Sequence, residues 1–132
     1  MSFDPRTLGT PVYEALDDIF QEYKTDETRI REQRSQAVEI YTYLATWGMM
    51  RLKAEEIALS QDGKRDVVRA YFSCLQRVIE AERDDLTSSN GLRFLKDMDA
   101  DEYLGLSGIG LAIAQEFSFW ATAVYKSYEG DK

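Results

Sequence analysis

Ile113, Phe117, Trp120, Val124 and Tyr128 stand at steps of 4, 3, 4 and 4. That spacing gathers five large apolar side chains on one face of a helix and on no single face of a strand. The same period recurs upstream. Val12, Leu16, Ile19, Phe20 and Tyr23 make one face, and Val68, Tyr71, Phe72, Leu75, Val78 and Ile79 make another. No segment alternates with period 2 for long enough to form a strand. The chain is expected to be all-α, a compact bundle of about five helices forming one domain over residues 1–132.

The punctuation between these faces predicts the helix borders. Thr10-Pro11 reads as an N-cap followed by the first helical position, where no amide hydrogen is needed. Thr25-Asp26-Glu27 starts a second, long helix running to about Ser60. From Ala37 to Met50 it is apolar almost all round, through Val38, Ile40, Tyr41, Tyr43, Leu44, Trp47 and Met49. A helix of that kind is usually the central, buried one. Gly48 within it is compatible with a kink, a close helix crossing or a true break. Asp62-Gly63 stops the segment, and a further helix is expected from Lys64 to Asp85, with Glu82 in register. Thr87 to Gly91 has turn composition. A short helix through Leu92, Phe94 and Leu95 precedes the last one. Trp47, Phe117 and Trp120 are the expected core anchors.

Composition narrows the chemistry. The chain has no histidine and one cysteine, which removes Ser-His-Asp and Cys-His catalysis, His-ligated metals, intrachain disulfides and Cys-type zinc sites. Cys74, beside Phe72 and Leu75, reads as a small core residue. Asp97, Asp99, Asp101 and Glu102 lack the glycine and the twelfth-position glutamate of a calcium loop. No catalytic residue, metal, cofactor or small-molecule substrate is expected, and the chain is read as a non-enzyme. No run approaches ~18 uninterrupted apolar residues, and Met1 to Arg6 has no signal-peptide pattern. A cytoplasmic protein without membrane contact is expected.

The net charge of −8 is uneven. Residues 1–28 carry −5 and residues 78–132 carry −6, whereas residues 29–77 carry +3. The basic middle offers Arg29, Arg31, Arg34, Arg51, Lys53, Lys64, Arg65 and Arg69 as candidate contacts to an RNA backbone.

Ser107 to Phe117 admits three readings. As a dinucleotide loop it lacks the preceding strand and the room for a second one. As a helix-hairpin-helix it matches at Leu106, Gly108, Ile109, Gly110, Ala114 and Phe117, with Gly108, Ile109 and Gly110 as the hairpin loop. That hairpin would hold DNA phosphates on backbone amides, yet no basic residue lies between Asp97 and Ala123. Over a longer span, Glu102-Tyr103-Leu104, Leu106, Leu111, Ile113, Ala114 and Trp120-Ala121-Thr122-Ala123 resemble the C-terminal helix pair of the small all-helical subunit of type III-B (Cmr) CRISPR effector complexes. The resemblance covers about 25 residues clearly. Gly105, Gly108 and Gly110 depart from that family, where the helix continues, and the family's basic character is diluted.

The resemblance implies a non-catalytic subunit that packs against other protein subunits of a larger assembly and lines RNA backbone without reading bases. Two other classes compete. One is a free-standing acidic inhibitor of the antitoxin or immunity type, docking on a basic partner. The other is a helix-hairpin-helix DNA-binding module.

Overall fold

The computed structural model describes residues 6–79 and 86–126. Tyr128 and the end of the helix read to Asp85, Glu82 included, lie outside them. Among the described residues six helices follow in order: α1 (Arg6–Tyr23), α2 (Glu27–Trp47), α3 (Met49–Ala58), α4 (Asp62–Val78), α5 (Gly91–Lys96) and α6 (Ala100–Val124). No strand occurs among the described residues.

The helix beyond the expected five comes from Gly48. Its φ of 89° lies in the left-handed region that glycine enters without a Cβ penalty, so the long second helix breaks there into α2 and α3. The Gly48 amide closes α2 on the Leu44 carbonyl at 3.0 Å. Glycine has no side chain with which to cap α3, and α6 supplies the missing acceptor: the Met50 amide donates to the Tyr103 hydroxyl at 3.0 Å.

At the N-terminal end the expected start at Thr10-Pro11 is too late. α1 already runs from Arg6, with Pro11 inside it. Proline within a helix forfeits one amide hydrogen bond, but the extra turn lets Gly9 bury itself against α6. A Cβ there would stand 3.0 Å from a Glu116 carboxylate oxygen and 3.3 Å from Trp120 Nε1. Tertiary contact outweighs the local start signal.

α2 packs on both α4 and α6, α1 lies against the same two helices, and α3 bridges α4 to α5. Leu16, Ile30, Ile40, Tyr71, Phe72, Leu75, Ile113 and Phe117 fill the interior. The Ala37–Met50 stretch is not buried all round. Ala37, Ile40, Leu44 and Met49 face inward, while Val38, Trp47 and Met50 are exposed.

One polar network clasps four helices. Arg29 of α2 donates two 2.7 Å hydrogen bonds to Asp66 of α4 and stacks 3.5 Å over the Tyr23 ring of α1. Gln33 Nε2 donates to Asp66 at 3.0 Å and to the Ile19 carbonyl at 3.2 Å. Tyr125, the C-cap of α6, donates to Gln33 Oε1 at 2.8 Å. Asp66 and Gln33 are both buried, and their satisfaction by partners from other helices fixes how those helices meet.

Burial also sets a pH limit. It pushes the Cys74 thiol up to about 12 and raises the Tyr71 and Tyr125 phenols. All three are neutral acids in the fold and ionise more readily in the unfolded chain, which binds fewer protons above ~pH 9. Stability is therefore expected to hold through neutral pH and to fall as pH rises beyond ~9. Urea midpoints measured across that range check it, and a midpoint unchanged well above pH ~10 would contradict the burial of these groups.

Candidate functional site

α6 is the element whose surface calls for an explanation. It starts on an Asp99 cap whose carboxylate accepts from the Glu102 amide at 2.9 Å; those backbone hydrogen bonds hold Asp99 below the usual carboxylate range. A side-chain hydrogen bond to Asp99, and the Asp99 charge beside it, in turn raise Glu102. Beyond Glu102 the helix carries one charge, Glu116. That side chain turns toward α1, accepting from Trp120 Nε1 at 3.3 Å.

The inner face buries Leu106, Gly110, Ile113, Ala114, Phe117, Ala121 and Val124. The outer face is also apolar or small. Leu104 is 69%, Phe119 61% and Ile109 40% exposed, with Gly105, Gly108, Gln115, Thr122 and Ala123 exposed between them. A surface helix of a globular protein normally turns charge outward, and a contiguous apolar exposed strip marks a contact site. Among the described residues no helix is long and apolar enough to cross a membrane.

The helix-hairpin-helix expectation does not hold. Gly108, Ile109 and Gly110 form no loop; they lie inside the continuous helix from Ala100 to Val124, so their amides are engaged along the helix and cannot cradle a phosphate. The apolar faces that the helix buries at Leu106, Ile113 and Phe117 outweigh the helix-weakening glycines.

These glycines differ in role. A Cβ on Gly110 would collide with the Met49 methyl and reach within 2.5 Å of the Tyr71 hydroxyl. At Gly105 and Gly108 a Cβ would meet nothing within 4 Å among the described residues. Gly110→Ala is therefore expected to destabilise the fold by ~1–3 kcal/mol, because the Tyr71 ring is wedged and cannot yield as Met49 can. Gly105→Ala and Gly108→Ala are each expected to stabilise it by ~0.5–1 kcal/mol through helix propensity alone. Chemical denaturation of the three variants checks the contrast; a stability loss at Gly108 would show a packing role within the single chain.

Of the three expected anchors, Phe117 is fully buried. Trp120 is half-buried: it packs on Tyr13 with ring centroids 5.5 Å apart and lines an apolar groove of about 360 Å³ with Arg6, Gly9, Thr10, Tyr13 and Glu116. Trp47 is not a core residue. It is 53% exposed, because the Gly48 break leaves it at the end of α2, where Arg51 stacks 4.4 Å over its ring.

The eight basic candidates divide. Lys53 is buried, with Nζ donating to the Leu86 carbonyl at 2.5 Å and to Glu56 at 3.1 Å, so it is withdrawn from any phosphate. Arg29 is committed to Asp66, which raises its already high pKa. Arg65 donates to the Leu59 carbonyl and sits 3.6 Å from Asp62. Arg31 is exposed and paired with Glu27 at 3.0 Å. Arg51 and Arg69 are exposed, and Arg34 and Lys64 are half-buried.

Phe119 and Gln115 are not among the residues expected from sequence, and Leu104 enters there only as part of the family resemblance. Their signal is a second stripe on α6, Asp101, Leu104, Gly108, Ala112, Gln115, Phe119 and Thr122, at steps of 3 and 4, hidden beside the stronger inward stripe. Comparison with protein-family models, curated proteins and solved structures returns no match.

Proposed function

We propose that this chain is a non-catalytic helical subunit that acts by packing against other protein surfaces within a larger assembly. The outer face of α6 carries the reading: an uncharged strip with Leu104 and Phe119 both more than half exposed, on a chain of net charge −8. Leaving such a strip in water forgoes roughly 25 cal/mol for every Å² of apolar area that a partner would cover. The most concrete form is the small subunit of a type III CRISPR ribonucleoprotein, on the resemblance at Glu102-Tyr103-Leu104 and Trp120 to Ala123. In that form the candidate contacts to RNA backbone are Arg31, Arg34, Arg51, Lys64 and Arg69.

A photo-crosslinking amino acid placed at Phe119, in the chain expressed in its native cells, tests the packing role against the same probe at exposed Glu22 on α1. A protein adduct at position 119 and none at 22 is the expected result. Equal labelling, or none at 119, would overturn the reading. Reversing Arg31, Arg34 and Arg69 to Glu tests the ribonucleoprotein form: RNA recovered with the captured assembly should fall, and unchanged RNA would remove that form and leave protein packing alone.

A further inference from the structure

Gly105 and Gly108 weaken the helix that contains them, and among the described residues nothing uses the space they leave. Glycine on a helix surface lets another element approach the backbone closely. Eleven residues from Gly108 on the same stripe stands Phe119, a large side chain that is 61% exposed. One strip thus holds both a notch and a knob.

An isologous, two-fold contact brings a strip against its own copy in antiparallel sense, so that one register fixes every other pair. Seating Phe119 on Gly108 sets Leu104 opposite Ala123, Gly105 opposite Thr122 and Ala112 opposite Gln115. Each bulky side chain then meets a small one. The same register brings Asp101 opposite Lys126, which lies just past the end of α6, both exposed, so opposite charges meet at each end of the strip. Of the other charges of α6, Glu102 is exposed beside Asp101 and Glu116 is turned away toward α1. Resting on the packing role proposed above, we infer that the outer face of α6 is covered by a second copy of this chain, paired antiparallel with Phe119 of each copy in the Gly108 notch of the other.

The extent of the face sets the strength. A helix of 25 residues is ~37 Å long, and one helix width of ~10 Å gives roughly 400 Å² per copy, about half of what stable interfaces bury. The dimer is therefore weak, concentration-dependent and held by an apolar contact between copies that elsewhere repel.

Sedimentation equilibrium of the full chain, from ~5 µM to ~1 mM, reads the association. A reversible monomer–dimer equilibrium is expected. Phe119→Ser and Gly108→Leu, both at exposed positions, should each raise the dissociation constant about tenfold or more, with helical circular dichroism unchanged to show that they fold. Register is read separately by mixing Leu104→Cys with Ala123→Cys: the mixture should form an interchain disulfide that neither variant forms alone. A chain that stays monomeric at ~1 mM, or a dimer indifferent to both substitutions, overturns the inference. So does a dimer in which Leu104→Cys links to itself. In those cases an adduct at position 119 with a different protein would still uphold the packing role, so the two failures are distinguishable.

Discussion

Replacing Phe117 with alanine is expected to lower the unfolding free energy by ~3–5 kcal/mol, a third or more of what a domain of this size commonly has. The side chain is fully buried and its ring meets Tyr71 edge-on at 5.8 Å, with Tyr71 in turn against Phe72 at 5.1 Å. Truncation removes the apolar transfer energy and leaves a void between rings that cannot all close in. Phe119, two residues on, supplies the control. It is largely exposed, and its alanine variant should lie within ~0.5 kcal/mol of the parent at concentrations where the chain is monomeric. Urea denaturation compares the two. Equal losses would mean that α6 presents a different face to the core.

Asp66→Ala should cost about as much for a different reason. The carboxylate answers two Arg29 hydrogen bonds and one from Gln33, and its loss strands a guanidinium whose side chain is only 22% exposed. Removing one member of a buried pair costs ~3–5 kcal/mol; partial solvation of Arg29 brings the expected loss to the lower end, ~3 kcal/mol. In the Arg29→Met background no charge is stranded, so Asp66→Ala should there cost at least ~1 kcal/mol less. Denaturation of the two singles and the double measures that coupling, and strict additivity would mean that the pair does not act as one.

The all-α class was legible because helical period is a local property, and α5 was legible from Leu92, Phe94 and Leu95 between turn-forming residues. The central break was only half legible. Gly48 marks the place, but whether the chain turns there depends on Tyr103 arriving to take the Met50 amide, a contact between residues 53 apart. Trp47 misled because an aromatic within an apolar run looks the same whether the helix continues past it or stops. Asp66 was invisible as a core residue: nothing local separates it from the solvated acids, since its partners lie on α2. The outer strip of α6 is masked in the sequence by the stronger inward stripe beside it and by glycines that favour a loop. The local cost of glycine is about 1 kcal/mol each, and the buried side of a 25-residue helix outweighs it.

The borrowed cap at Met50 also bears on the order of events during synthesis. When α2 and α3 leave the ribosome, the hydroxyl that satisfies the α3 start is still untranslated, and so is the Tyr125 phenol that Gln33 needs across a separation of 92 residues. The early helices can form and collapse, but their junction and their buried glutamine stay provisional until the C-terminal quarter emerges. Chains whose decisive contacts are this distant in sequence fold more slowly than helical bundles built from neighbouring hairpins. Through that interval the nascent chain holds exposed apolar surface, which makes the late arrival of α6 the step at which a stalled or truncated product would become a client for chaperones.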